Sequence, residues 1–452
     1  MKKLLITVLF ILFSISINAQ INSFFSLKEN EGLLAGGAGL TWIDGQPFYS
    51  LHLYPEIAFS NVGIGLDLNL EFDANGNLRK ENFNEFSDYL SVIRYVRYGQ
   101  KHDPLYVKLG ALDYATLGHG SIMYMYNNSP SFDTRKAGLV FDADFNGFGF
   151  ESIYSNFGDA GVIGVRGYYR PFVMAQNTSL PILGKLEIGG TIVSDLNENA
   201  GVVAGNYNPA TNQFLKTVDE GNTTIVGIDF GLPIVRSGLA DLDIYFDYAK
   251  IIKFGGGASA GLLLDLKGLP LVDVQTRIER RFFGDDFIPS YFNSFYEIER
   301  FQLDKTTGQV TSKIQRLKNG IPAGNGYYGE LRVTALGLID VLGSFQKMDK
   351  DPEGGILHLY TNFAPEKFPY VVRAGYDKVY IKDLKDLFTL DDRSYLYFEF
   401  GYKPAKYIIV SMLYSWTFTP LRDANDDIVG FKPQKKIEPR ISFVYPFDFG
   451  DQ

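Results

Sequence analysis

Val62-Gly63-Ile64-Gly65-Leu66-Asp67-Leu68-Asn69-Leu70-Glu71-Phe72 carries an apolar side chain at every even position and glycine or a polar group at every odd one. Successive side chains of an extended strand point to opposite faces, so this segment is a strand with one greasy face and one wet face. The same alternation runs through Leu242-Asp243-Ile244-Tyr245-Phe246-Asp247-Tyr248 and Tyr395-Leu396-Tyr397-Phe398-Glu399-Phe400. It recurs, with a lapse at Thr276, in Val272 to Glu279, and briefly in Lys185-Leu186-Glu187-Ile188. Alternation alone does not separate a soluble sandwich, apolar face inward, from a membrane barrel, apolar face outward.

Strand number and loop rhythm separate them. About 16 to 20 strands can be drawn, most of roughly 8 to 12 residues, the length that crosses a bilayer at a tilt. Their connections alternate between two classes. One is mostly tight: Ser60-Asn61, Gly99 to Pro104, Asn146-Gly147, Lys267 to Pro270, Ile339-Asp340 and Lys403 to Ala405. The other holds most long pieces: Asp73 to Glu85, Asp113 to Asp133, Asp195 to Asn222, Gly284 to Asn325, Tyr380 to Asp392 and Thr419 to Phe431. Short periplasmic turns and long outer loops are the rhythm of an antiparallel transmembrane β-barrel. Pro171 to Leu183 is long for a tight turn, and Asp44 to Gln46 is short for an outer loop.

The chain opens with Lys2-Lys3, an apolar run from Leu4 to Ile17, and Ala19 before Gln20, the order of a secretory signal peptide. Residues 1–19 are therefore expected to be removed, leaving 20–452 as a single barrel domain. After Ala19 no stretch reaches the roughly 18 consecutive apolar residues of a spanning helix, which excludes helical membrane transport. With no cysteine there are neither disulfides nor thiolate metal sites. The formal charge of −9 becomes −11 without Lys2 and Lys3, which argues against nucleic acid as a partner. The 29 Tyr and 37 Phe suit short, half-apolar strands.

The last candidate strand, Ile441 to Phe449, sets aromatics at 443, 445, 447 and 449. It resembles the aromatic-rich terminal strand of Gram-negative outer-membrane β-barrel proteins, with the departure that Gly450-Asp451-Gln452 follow. That resemblance implies a barrel in outer-membrane lipid and names no solute. Only about a dozen residues separate Gln20 from the first strand, so no globular plug domain or N-terminal hatch is expected.

If the apolar face meets lipid, the polar face meets the lumen, because a charge facing hydrocarbon costs several kcal/mol. This puts Asp67, Glu71, Asp142, Asp144, Lys185, Glu187, Asp243, Asp247, Asp273, Arg277, Glu279, Arg281, Glu330, Arg332 and Glu399 inside. Such charges either brace a wet interior as ion pairs or select permeant ions; Arg277 with Arg281 is the best candidate for an anion-attracting spot. Tyr95, Tyr98, Tyr168, Tyr169, Phe282, Phe283, Tyr402 and Tyr445, at strand ends, are expected in the headgroup girdles. Tyr245, Tyr395 and Tyr397 have lumen parity instead.

Signals for chemistry are weak. His119 and Ser121 form the closest His-Ser pair, but two extended residues span about 6.6 Å and no carboxylate lies within their segment, so no catalytic role is expected. His102 and His358 lack neighbours spaced as metal ligands and read as structural or surface residues. Gly324 to Gly329 fits a dinucleotide glycine pattern but precedes a strand, and so reads as a loop end. Asp423 to Asp427 begins like a calcium loop, yet Ile428 and Gln434 stand where glycine and glutamate belong. No cofactor or metal is expected. A short helix is expected at Ile381-Leu384-Leu387-Phe388.

Leu117-Gly118-His119-Gly120-Ser121-Ile122-Met123-Tyr124-Met125-Tyr126-Asn127-Asn128 lies in the third outer connection. General porins fold that loop into the lumen, and by similarity of position this one could do the same. Gly118 and Gly120 would permit the bend, Ile122, Met123 and Met125 would pack on the wall, and His119, Tyr124, Tyr126, Asn127 and Asn128 would line what remains. With Asp243, Asp247, Arg277, Glu279 and Arg281 these are the constriction candidates; a loop lying across the mouth is the alternative. The reading favoured is a channel or transporter for small hydrophilic solutes. The second is a structural barrel with protein partners in a secretion or assembly complex, motivated by long loops such as Gly284 to Asn325.

Overall fold

The computed structural model describes residues 30–80, 92–131, 135–175, 180–269, 271–365 and 368–448. The signal peptide, Gln20 and Phe449 lie outside the described residues.

Twenty antiparallel strands follow one another around a closed ring. The first ten are β1 (Glu31–Ile43), β2 (Gln46–Leu53 and Glu56–Phe59), β3 (Val62–Leu66 and Leu68–Phe72), β4 (Ile93–Tyr98), β5 (Leu105–Gly110), β6 (Gly138–Asp144), β7 (Phe148–Tyr154), β8 (Val162–Tyr169), β9 (Glu187–Asp195) and β10 (Thr223–Arg236). The rest are β11 (Ala240–Ile251), β12 (Gly256–Leu269), β13 (Val272–Phe283), β14 (Gly324–Ala335), β15 (Ile339–Met348), β16 (Gly355–Phe363), β17 (Tyr370–Ile381), β18 (Ser394–Ala405), β19 (Ile408–Arg422) and β20 (Ile428–Asp448). Closure comes from β1 against β20, from Glu31↔Asp448 to Ile43↔Lys436, which leaves the sheet without an edge. In β2 the ladder breaks at Pro55, which has no N–H; the Tyr54 N–H donates to Ala35 O at 2.7 Å instead. No described helix is long and apolar enough to span a membrane.

The wall obeys the period-2 rule. On β11, Tyr245, Asp247 and Ala249 are buried while Ile244, Phe246 and Tyr248 are exposed; on β13, Arg277, Glu279 and Arg281 are buried and Ile278 is 53% exposed. Large apolar side chains thus cover the outside and charges point inward. Only hydrocarbon makes such an apolar belt favourable.

Several expectations need correction. Tyr98, Tyr169, Phe282, Tyr402 and Tyr445 are exposed on the outer wall, but Tyr95, Tyr168 and Phe283 have inward parity. Tyr95 hydroxyl donates to Glu56, Tyr168 lies over Gly149, and Phe283 packs on Phe287. Lys185 is not on a strand: it ends a 3₁₀ turn, Leu183–Lys185, in the long inner connection 170–186. Ile339-Asp340 and Lys403 to Ala405 belong to strands, with the turns at 336–338 and 406–407. Because β19 and β20 extend beyond their neighbours, the loop expected over Thr419 to Phe431 shrinks to 423–427. Gly324 to Gly329 opens β14 as extended chain. The expected helix near Ile381 is a single 3₁₀ turn, Asp386–Phe388, with Leu384 87% exposed.

Candidate functional site: an internal plug beside a polar cavity

The connection after β5, described over 111–131 and 135–137, enters the barrel. Its two limbs pair where the N–H groups of Ala115 and Tyr126 each donate to the other's carbonyl at 2.8 Å. Gly118 and Gly120 take φ of +54° and +91° at the tip, the left-handed bend that glycine permits. His119 stacks on Tyr245 with ring centroids 4.3 Å apart, and its carbonyl accepts a hydrogen bond from Arg277. Burial pushes the imidazole down to about 4, so it is neutral at pH 7 and adds no charge beside Arg277. Ser121 turns elsewhere: its hydroxyl meets the Ser259 hydroxyl at 2.8 Å and its N–H donates to Asp247 at 3.4 Å.

The wall accommodates this loop through glycines. Leu117 Cδ1 sits 2.7 Å from where a Cβ would stand on Gly164, and Ile122 Cδ1 is 2.9 Å from the equivalent point on Gly227. Gly164→Val should therefore overpack the seat by about 1–3 kcal/mol and displace the loop without stopping barrel formation. Protease added outside whole cells should then cut within 111–137; equal resistance to wild type would refute the seat.

A second connection, 284–323, packs on the first. Ser290 and Phe292 N–H donate to the carbonyls of Ser121 and Ile122, at 2.8 and 3.1 Å, and Tyr124 N–H donates to Phe292 O at 3.0 Å. The two loops share one apolar cluster containing Met123, Tyr126, Phe287, Tyr291, Phe292 and Tyr296. They are tied by a buried ionic knot. Glu297 accepts from both terminal nitrogens of Arg300 at 2.7 and 2.8 Å, from Tyr126 hydroxyl at 2.5 Å, and from Lys136. Asp195, at the end of β9, accepts from Arg300 Nε at 2.5 Å and Tyr296 hydroxyl at 2.6 Å. Together the loops fill the lumen against β6 to β15 and also reach across it, where Phe295 and Ile298 pack with Val379 of β17 and Phe418 of β19, and Phe301 and Leu303 pack with Val429 of β20.

The other side, between the plug and the wall made by β1 to β5 and β17 to β20, holds a cavity of about 550 Å³. Its lining descends β20 from Gln434 to Val444, about 33 Å of strand. It also includes Asn156 to Gly158 in the outer turn and Ala35 and Ile409 near the inner ends of β1 and β19, so its lining residues are spread over most of the strand length. Its charged lining comprises Asp67, Glu71, Asp113, Glu399 and Glu438 against Arg79, Arg94, Arg135, Lys136, Arg373, Lys436 and Arg440. Glu399 accepts from Arg373 and Arg440, each at 2.8 Å, and from Ser411 at 2.8 Å. His52 Nε2 meets Glu438 at 2.5 Å, and Arg135 pairs with Asp67 at 2.8 Å.

The expected constriction set is thus divided. Asn127 lines the cavity. Tyr126 and Asn128 are fully buried: Asn128 Oδ1 accepts from Leu112 N–H at 3.0 Å and its amide donates to Ser155 O at 2.9 Å, which pins the loop root. His119, Tyr124, Asp247, Arg277, Glu279 and Arg281 meet at the plug's contact with β10 to β14. There Arg277 and Arg281 both pair with Glu279, and Arg277 lies about 5.1 to 5.4 Å from the rings of Tyr124, Tyr245 and Tyr328. Asp243 is nearer the inner rim, paired with Arg236 at 2.6 Å. His358 faces inward against Asp377 at 2.7 Å.

Arg373, Lys436, Glu438 and Arg440 are not among the expected residues, although the even positions 434 to 442 of β20, Gln434, Lys436, Glu438, Arg440 and Ser442, form a polar face of the same period as the one in Val62 to Phe72. The inward course of 284–323 had a compositional signal too: Phe287, Ile288, Tyr291, Phe292, Phe295, Tyr296 and Ile298 are too apolar for a loop standing in water.

A closed, edge-free antiparallel wall with a lipid-facing belt and a charged interior defines the class of the Gram-negative outer-membrane β-barrels. No family model matches the chain, and no curated protein matches it either. Solved structures with a similar fold include OccK5 (OpdH) of Pseudomonas aeruginosa, 11% identical, covering 92% of this chain and 98% of that one at a TM-score of 0.33. The outer membrane protein opdK of the same organism is 10% identical over 92% of this chain and 99% of its own, at 0.31. The ferric enterobactin receptor PfeA, also from Pseudomonas aeruginosa, is 8% identical over 93% and 82%, at 0.36.

Proposed function

We propose that the chain is an outer-membrane channel or transporter for small hydrophilic solutes, with the polar cavity as the route and the paired loops as the element that narrows it. The observation carrying this reading is the cavity itself: its volume falls in the roughly 300–1,000 Å³ range of small-molecule sites, its lining is charged, and its lining residues run from the outer turn at Asn156 to Gly158 to the inner part of β1 and β19. The accessory-barrel reading drew on the length of Gly284 to Asn325, but that loop spends its apolar residues inside the lumen.

Reconstitution of the purified barrel into planar bilayers tests the proposal. Discrete, ohmic conductance steps are expected, as is entry of small sugars and amino acids into proteoliposomes; a tight barrel in both assays would sink it. His119→Ala with Tyr124→Ala removes the stack on Tyr245 and the hydroxyl that donates to Glu330. This double variant should change the step size, and an unchanged step would make both residues packing alone.

A further inference from the structure

We infer that the lipid-facing wall across β13 to β16 binds one phosphorylated lipid of the outer leaflet, with its phosphate on Arg280 and Lys347 and an acyl chain in the groove below them. The inference rests on the barrel wall and is independent of what crosses the lumen.

Every carboxylate of β11 to β15 has inward parity, yet three cations of these strands stand in step with exposed apolar neighbours: Lys250 after Tyr248, Arg280 between Ile278 and Phe282, and Lys347 after Phe345. All three lie within three residues of the outer ends of their strands. Lys250 turns to the chain itself, its ammonium donating to Phe254 O at 2.5 Å. Arg280 and Lys347 stand level, because each is directly opposite Tyr327 in the ladders of β14 with β13 and with β15, which sets their Cα atoms about 10 Å apart. The Arg280 guanidinium lies 4.0 Å from the centre of the Tyr327 ring, so it leans across β14 toward Lys347. Its Nη1 donates to Gly326 O at 3.3 Å, and its Nη2 is 3.9 Å from Asp349, beyond hydrogen-bond reach. Asp349 is the one carboxylate within ion-pair distance of either cation among the described residues, and Lys347 is exposed. A guanidinium held flat on a ring presents its N–H edge, the geometry that takes a phosphate bidentately.

One ladder step toward the middle of the membrane, the same outward face opens into a groove of about 350 Å³ lined by Ile278, Gly329, Leu331, Gly343, Phe345 and Leu359. Two glycines form its floor: a Cβ on Gly329 would meet nothing within 4 Å, and one on Gly343 only Leu359 Cδ2 at 3.5 Å. The ladders of β14 and β15 run through these positions without a bulge. Glycine inside a regular strand weakens it and marks a place where another molecule comes close. On a wall facing hydrocarbon that molecule is an acyl chain. The groove alone would accept the chain of any lipid; the two cations at its upper end select a headgroup of opposite charge, and at the edge of the hydrocarbon that attraction is stronger than in water.

Native mass spectrometry of the full-length barrel released from detergent tests the site, with dioleoyl phosphatidic acid and dioleoyl phosphatidylcholine as probes and the gel-mobility shift on boiling to certify that each variant is folded. One phosphatidic acid per barrel should be retained where phosphatidylcholine is lost, and inorganic phosphate should not displace it, because the free anion has no chain. Arg280→Gln with Lys347→Gln should weaken phosphatidic acid binding about tenfold or more, the size of a charged hydrogen bond. Lys435→Gln, which removes an outward cation over the Tyr414 ring on the far side of the barrel, should leave binding unchanged. Gly329→Leu fills the groove without a clash, keeps both cations, and should weaken binding several-fold. No retained phosphatidic acid, equal retention of the two lipids, displacement by inorganic phosphate, wild-type binding by the double variant or by Gly329→Leu, or a loss on Lys435→Gln as large as that of the double variant would overturn the inference. If the double variant does not fold, Lys347→Gln alone, one exposed charge at a strand end, carries the expectation of a several-fold loss.

Discussion

Arg300→Ala should open the barrel. Asp195 and Glu297 are both fully shielded from solvent, and Arg300 is the cation common to them. Taking one partner from a buried ion pair costs about 3–5 kcal/mol, because the remaining carboxylates stay desolvated without a counter-charge. Glu297 keeps Lys136 and Tyr126, and Asp195 keeps Tyr296, so the penalty falls toward the lower end of that range. The barrel wall is hydrogen-bonded around its whole circumference and does not depend on the knot, so the plug is the part that yields. The expected results are a several-fold larger conductance step, new protease cleavage within 284–323, and an unchanged shift in gel mobility on boiling. Arg300→Lys, which restores charge but not the fork, should fall between the two. A step size equal to wild type would show that the two loops do not restrict the route.

Ile278→Arg should oppose assembly of the wall itself. Ile278 stands at mid-strand on β13, 53% exposed on the outer face, where an arginine at the bilayer midplane costs about 2–4 kcal/mol. Gln275→Arg, three residues away on the opposite face, places the same charge in the wet lumen and should cost little. Folding into phospholipid vesicles from urea, followed by the gel-mobility shift, compares them directly. Equal folding yields for both variants would contradict the assignment of faces.

The contrast between these substitutions marks what was legible in the residues. Parity alone placed Asp247, Arg277, Glu279, Arg281 and Glu399 inside and Ile244, Phe246 and Ile278 outside, because a strand has only two faces and a single charge on the wrong one is costly. Parity also explains the errors. Position at a strand end points Tyr95, Tyr168 and Phe283 to the girdles, but their face is set by whether they stand in step with buried neighbours, and all three do. Glycines at 118 and 120 announced a bend but not its direction, and nothing local distinguishes a loop that turns inward from one that crosses the mouth.

The sequence by itself determined the antiparallel strands, their approximate number, the faces of the wall and the alternation of short and long connections. These follow from forces that act within a strand or turn: period-2 side chains, the preference of glycine and asparagine for tight reversals, and the cost of charge in hydrocarbon. Only the tertiary structure decided that two loops far apart in sequence pack on each other inside the lumen, and that Lys436 and Arg440 from the last strand meet Glu71 and Glu399 beside the cavity that remains. Ring closure sets those distances. It brings residue 31 against residue 448, and a local pattern carries no information about which distant charge will stand opposite.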